Sequence, residues 1–288
     1  MSEPRYPYVA VDVAEDEADE AGALLFELGA GGVEQRDATT LKRGAAGKVT
    51  LVASFERDVD AHAAAGELPA GWSPRVEEVV GDAWRDEWKK HFEPFRVCPG
   101  VVVCPPWRTV EAGPGEKVVV LEPGRAFGTG LHETTSLVAE VLASTRLEGL
   151  TVLDVGCGSG ILALVALELG AARARAIDVD PDAVAVTREN AERNGLGQRV
   201  DADEAPVEAL RESYPLVLAN IESRTLLTLA PALAARVAPG GRLVLSGILA
   251  DDVAPSQIED VRRAYAALEE EEVRRRGEWI AVVMRRPR

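Results

Sequence analysis

The 288-residue chain is 47% hydrophobic and carries a formal net charge of −16, so it has ample material for buried cores and is not disordered by composition. An acid excess of that size repels phosphate backbones and argues against sequence-independent nucleic-acid binding through a basic face, while favouring encounter with a basic protein. Three cysteines, Cys98, Cys104 and Cys157, cannot all pair within one chain and match no zinc spacing, which points to a reducing compartment.

Tyr8 to Val13 alternates as a strand does. Ala18, Ala21, Leu25 and Leu28 then recur at helical spacing until the glycines of Gly29–Gly32 stop the helix. Val33–Arg36 and Val49–Phe55 read as strands, Arg57–Ala65 as a helix closed by Gly66, and Arg75–Val80 as a last strand. The order β-α-β-β-α-β predicts a small α+β module of ferredoxin-like type over residues 1–80. Residues 81–97 are expected to form a linker helix, with Trp84, Trp88 and Phe92 on one face and Pro94 and Pro99 as bounds.

Residues 98–288 read as a second domain. Strands are expected at Val101–Cys104 and Val118–Leu121, followed by a glycine-rich stretch from Gly124 to Gly130. Beyond Thr151, strands at Val152–Val155, Arg175–Val179, Arg199–Ala202, Leu216–Ala219 and Leu243–Ser246 alternate with helical stretches. Parallel strands need such crossovers, so the fold class is α/β, a doubly wound Rossmann-like sheet. Glu270–Arg274 and Trp279–Met284, with Gly277 between them, predict a hairpin on its edge.

The run Val152-Leu153-Asp154-Val155-Gly156-Cys157-Gly158-Ser159-Gly160 passes straight into apolar Ile161–Leu164. Glycines there permit a sharp turn and close approach to a ligand, and the helix start offers free N–H groups. Dinucleotide folds use G-x-G-x-x-G, whereas the spacing here is G-x-G-x-G. Asp154, two residues before Gly156, opposes a pyrophosphate but attracts an ammonium. Asp178 closes the next strand, in Ile177-Asp178-Val179-Asp180-Pro181, where a carboxylate accepts both hydroxyls of a ribose. Together they point to S-adenosylmethionine, whose methionine end carries an ammonium beside a sulfonium. Asp180 fits the N-cap of the helix opened by Pro181.

Asn220, at the end of Leu216-Val217-Leu218-Ala219-Asn220, faces the crevice where such sheets bind ligands. Its amide can orient an amine nucleophile without stabilising the cationic form; the competing role is a helix N-cap. Phe127, between glycines 124 and 130, belongs to a segment suited to fold over a ligand. His132 reads better as an N-terminal helix residue than as a catalyst. With histidines only at 62, 91 and 132, no metal site is expected.

These segments resemble the ribosomal protein L11 methyltransferase family (PrmA). The resemblance rests on W-R-D-E-W-K-K-H-F-E-P-F from Trp84, V-V-V-C-P-P-W to Trp107, L-E-P-G-R-A-F-G-T-G-L-H-E-T-T to Thr135, L-D-V-G-C-G-S-G-I-L-A, I-D-V-D-P, A-N-I, A-P-G-G-R-L-V-L-S-G-I-L and E-W-I. It implies an N-terminal substrate-recognition domain, a linker helix and a C-terminal methyltransferase domain. The implied reaction is methyl transfer from S-adenosylmethionine to lysine ε-amines and the N-terminal α-amine of that ribosomal protein. Carried over by position, cofactor contacts fall on Thr135, Gly156, Asp178 and Asn220; the residues themselves add Asp154, Gly158 and Gly160. Glu222 stands where many members have Leu, and Glu122 where many have Asp. The N-terminal region matches mainly at G-A-G-G-V-E.

Other readings remain open at this stage: another protein-lysine or small-molecule amine target, a NAD-dependent oxidoreductase, or a non-catalytic ribosome-binding module retaining the fold. DNA is not expected as a partner, since Asn220-Ile221-Glu222-Ser223 lacks the Pro-Pro-aromatic group that grips a flipped base. Without a signal-like N-terminus or an apolar run near the ~18 residues of a membrane span, the protein is expected to be cytoplasmic. It is read as a monomer acting on free ribosomal protein or before ribosome assembly.

Overall fold

The computed structural model describes residues 5–14, 17–36, 49–55, 57–80, 92–122 and 131–288. The chain divides into two compact units, Met1–His91 and Phe92–Arg288.

The first unit runs β1 (Arg5–Val13), α1 (Ala18–Glu27), β2 (Gly32–Arg36), β3 (Val49–Ser54), α2 (Asp58–Glu67) and β4 (Arg75–Val80). Its sheet is antiparallel in the order β2-β3-β1-β4, the split βαβ arrangement of a ferredoxin-like module. Period-two alternation sends Val9, Val11 and Val13 into a core with Leu51, Ala53, Ala21, Leu25 and Ala61. On the opposite face, Asp12 accepts from Thr50 Oγ1 at 2.7 Å and from Arg75 at 2.6 Å. The expected linker helix over 81–97 falls largely outside the described residues. Its last part is a strand, β5 (Phe95–Cys98).

β5 pairs antiparallel with β6 (Val101–Cys104), which pairs parallel with β7 (Lys117–Val120), in a three-stranded sheet. There follow α3 (Glu133–Ala143), β8 (Thr151–Val155), α4 (Ile161–Glu168), β9 (Arg173–Ile177), α5 (Pro181–Arg193), β10 (Val200–Asp203), β11 (Tyr214–Asn220), α6 (Ser223–Arg236), β12 (Val237–Leu249), α7 (Gln257–Ala264), β13 (Glu269–Arg276) and β14 (Trp279–Arg285). They build a seven-stranded sheet in the order β10-β9-β8-β11-β12-β14-β13. Its first five strands are parallel, and the closing hairpin is antiparallel, turning at Gly277 with φ +55°. This is the doubly wound sheet with an edge hairpin that the alternation predicts.

Both faces of the sheet's centre are buried, so β8 and β11 are mostly apolar, whereas the edge strand β13 is charged and exposed. On β11, Leu216 and Leu218 join one core with residues of α3 and α4, while Val217 and Ala219 join another with residues of α6 and α7. β8 and β11 are neighbours from which the chain winds in opposite directions. The crevice beyond their carboxyl ends is the topological switch point, where open α/β sheets bind ligands.

Candidate active site

The glycine turn follows β8 directly. Gly156, Gly158 and Gly160 have φ of +71°, +53° and +79°, a left-handed region that costs other residues roughly 1–2 kcal/mol each. Space is as restrictive as torsion. A Cβ on Gly156 would stand 2.3 Å from Ile221 Cγ2, and one on Gly160 2.9 Å from Thr187. Backbone bonds fix the turn to the neighbouring strand, the N–H groups of Gly156 and Cys157 donating to the Ile177 carbonyl at 2.8 and 3.1 Å.

Two carboxyl groups flank this turn. Asp178, just past β9, accepts from Gly158 N–H at 2.9 Å on one oxygen and from Asp180 N–H at 3.1 Å on the other. A carboxylate has about four acceptor sites, so Asp178 can brace the turn and still receive two hydroxyls. Asp154 is 1% exposed and accepts from Ala163 N–H at 3.2 Å, in the first turn of α4. Burial lifts its carboxyl to about 7; the Ala163 N–H opposes this, and the Asp178 charge adds to it. A buried acid of this kind is ionised readily by an adjacent cation, such as the ammonium of a methionine moiety. A pyrophosphate would meet two carboxyl groups instead. The residues present therefore suit S-adenosylmethionine.

Asn220 ends β11 and is half-buried, and its Nδ2 donates to Thr135 Oγ1 at 3.4 Å. Thr135 is buried in the first turn of α3. The fold thus joins two predicted site residues that lie 85 positions apart. The N-cap alternative for Asn220 does not hold, since the residue at the cap of α6 is Glu222, with no side-chain cap bond. Asp180 caps α5 as expected, accepting from Asp182 N–H at 2.9 Å. His132 caps α3: its Nδ1 accepts from Thr134 N–H at 3.4 Å, and its ring meets Trp279 edge-on at 4.8 Å. Phe127 lies outside the described residues.

Cys157, inside the turn, is buried, and burial pushes its thiol up to about 12; it packs against Thr187 and offers no thiolate nucleophile. Among the described residues no cluster of His, Cys, Asp or Glu could hold a metal ion, and no helix is long and apolar enough to cross a membrane.

Sequence reasoning passed over one face of α5. Thr187 donates to the Gly158 carbonyl at 2.9 Å, Asn190 to the Ser159 carbonyl at 3.0 Å, and Asn194 to the Val120 carbonyl at 2.7 Å. The signal was present: three small polar residues at i, i+3 and i+7 share a helix face with apolar Ala183, Val184 and Ala191. Gly247 was also missed: its φ is +86°, and a Cβ there would come 2.1 Å from the Ile221 carbonyl oxygen, a contact set only by the fold.

The family profile described as ribosomal protein L11 methyltransferase (PrmA) matches residues 5–287. A ribosomal protein L11 methyltransferase of Sorangium cellulosum is 58% identical over 275 residues, covering 92% of this chain and 84% of that protein. One of Pelobacter propionicus is 39% identical over 308 residues, covering 98% of each. Among solved structures, a ribosomal protein L11 methylase of Lactobacillus delbrueckii subsp. bulgaricus superposes with a TM-score of 0.62 at 28% identity, covering 68% of this chain and all of that one. A match along nearly the whole length, with a glycine turn and carboxyl pair suited to the methyl donor, places the chain in the ribosomal protein L11 methyltransferase (PrmA) family, whose members are S-adenosylmethionine-dependent methyltransferases.

Proposed function

We propose that this enzyme methylates ribosomal protein L11 on lysine ε-amines and on the N-terminal α-amine, acting in the cytoplasm as a monomer on free or not yet assembled substrate. The observation that carries the reading is the meeting of Asn220 and Thr135 at the switch point, beside a turn with two carboxyl groups. Family membership supplies the target. The acidic charge of −16 favours approach of a basic protein. Residues 1–80 are assigned to substrate recognition, the segment between β4 and β5 to a linker, and β5 onward to methyl transfer.

When bound, S-adenosylmethionine supplies a sulfonium methyl, which a neutral amine takes by displacement, leaving S-adenosylhomocysteine and a proton for solvent. Asp178 is assigned to the ribose hydroxyls and Asp154 to the ammonium. Gly156, Gly158, Gly160 and Thr135 are assigned to close approach around the donor. A lysine with pKa ~10.4 loses its proton at a cost of roughly 4–5 kcal/mol at pH 7, and an α-amine near 8 at about 1 kcal/mol. A bare carboxylate beside the amine would raise that cost. Asn220 avoids it, accepting a hydrogen bond through a neutral amide. Phe127 is assigned to exclude water or to contact the cationic region of the donor. The rate comes chiefly from alignment, which supplies ~7–11 kcal/mol in favourable cases.

The test is incubation of the full chain with purified L11 and labelled donor, followed by mass mapping of modified amines. Label on L11 lysines and its N-terminus is expected. Label only on a different protein in an extract would move the target. Absence of S-adenosylhomocysteine binding by calorimetry would remove the reaction itself.

A further inference from the structure

The polar face of α5 does more than fill space. Asn190 is fully buried, and both ends of its amide are engaged. Nδ2 donates to the Ser159 carbonyl at 3.0 Å, inside the glycine turn. Oδ1 accepts from Glu122 N–H at 3.2 Å, two residues past β7, and from Arg193 Nη1 at 2.7 Å. Arg193 in turn holds the Glu122 carboxylate at 2.7 Å. Asn190, Arg193 and Glu122 thus form a closed ring, and a side-chain amide bridges the donor turn to the chain just after β7.

Its neighbours on the helix have different duties. Asn194 accepts from Val120 N–H and donates to its carbonyl, both at 2.7 Å, taking the place of a next strand beside β7. Thr187 touches only the turn side, through the Gly158 carbonyl and the Cys157 thiol. Of the three, Asn190 alone reaches both the turn and Glu122 in the bonds described. The turn is also held by Asp178 at the Gly158 N–H, so donor and acceptor groups of consecutive residues are each fixed by a different side chain.

We propose that Asn190 is a positioning residue for methyl transfer, tying the glycine turn that receives the donor to the segment that leaves β7 toward α3, so that the two hold one alignment. The inference rests on the assignment of the glycine turn to the methyl donor. A merely structural role would affect stability without separating donor binding from turnover.

Three full-length variants separate these arms. Asn190→Asp keeps the shape and the acceptor toward Glu122 and Arg193, but cannot donate to Ser159. Asn190→Ala loses both arms, and Asn194→Ala loses the strand-like pairing with Val120 together with its Nδ2–H bond to the Asn190 carbonyl at 2.7 Å, leaving both arms of the Asn190 side chain in place. Thermal melting, S-adenosylhomocysteine calorimetry, and kcat and KM with L11 are measured for each. Asn190→Asp should weaken S-adenosylhomocysteine binding about tenfold, the effect of one buried bond left unmade. Asn190→Ala should add a loss of kcat at saturating donor of about tenfold or more. Asn194→Ala should lower the melting temperature while leaving kcat within about twofold of the parent.

Binding of S-adenosylhomocysteine to Asn190→Asp at parental strength overturns the proposal. So does equal loss of kcat in Asn194→Ala and Asn190→Ala, which would make the face structural only. If Asn190→Ala does not fold, the isosteric Asn190→Asp carries the test. If the parent chain binds S-adenosylhomocysteine but leaves L11 unlabelled, the target reading fails, while the binding comparison still decides the role of Asn190.

Discussion

Gly247→Ala is the sharpest probe of how the sheet edge positions Asn220. Gly247 sits at the irregularity in β12 between Ser246 and Ile248, with φ +86°. An added Cβ would lie 2.1 Å from the Ile221 carbonyl oxygen and 2.8 Å from its carbonyl carbon. Both are backbone atoms and cannot swing aside. On its other side the Ile221 side chain abuts Gly156, where a Cβ would come within 2.3 Å. Ile221 is therefore gripped between the glycine turn and the β12 irregularity, and a push from Gly247 moves the residue next to Asn220. Left-handed backbone costs alanine about 1–2 kcal/mol, and overpacking a tight site adds about 1–3 kcal/mol. Gly195→Ala is the control, with φ +68° and nothing within 4 Å of the added Cβ, so it carries the torsional part alone. Urea denaturation should show Gly247→Ala less stable than Gly195→Ala by about 1–3 kcal/mol. Turnover should fall by roughly tenfold or more in Gly247→Ala only, because small misplacements of a positioning group are costly. Equal stability and equal activity of the two variants would refute the argument from close approach.

Four further outcomes follow from the site. Burial sets the Asp154 carboxyl at about 7 against an unfolded value of 3.8, so the native state holds the extra proton between them. Stability of the ligand-free protein should fall as pH rises through that window, and Asp154→Asn should flatten the slope in urea titrations. An ammonium beside Asp154 favours its ionised form, so calorimetric affinity for S-adenosylhomocysteine should increase from about pH 6 to about pH 8 in the parent and stay flat in Asp154→Asn; parallel profiles would remove Asp154 from the donor site. Asp178→Asn loses a charged acceptor for Gly158 N–H and Asp180 N–H and should weaken that affinity by about 10- to 100-fold. Asn220→Ala should lower single-turnover rates at saturating donor far more than it lowers the melting temperature; an unchanged rate would end its assigned role in holding the amine.

The doubly wound sheet was legible because each of its signals is local. Apolar strands, intervening helices, the G-x-G-x-G turn after Val155 and the acid at Asp178 are all written in consecutive residues. The edge hairpin was legible for the same reason, with Gly277 between two short strands. Strand β5 was not, since Phe-Arg-Val-Cys is too short and irregular to stand out until Val101–Cys104 supplies its partner. Asp154 and Asp178 were both read as ligand groups, yet their second duty, tying down Ala163 N–H and Gly158 N–H, appears only once the strands lie side by side.

What the sequence determined alone, then, is the run of elements and the chemical character of the turn, because hydrophobic period and glycine torsion act within a few residues. What only tertiary structure decided is which distant groups meet: Thr135 with Asn220, Asn190 with Glu122 and Ser159, Gly247 with Ile221. Those meetings depend on the strand order β9-β8-β11-β12 and on the helix face turned toward it. Neither is encoded at any one position; both follow from burying two faces of one sheet at once.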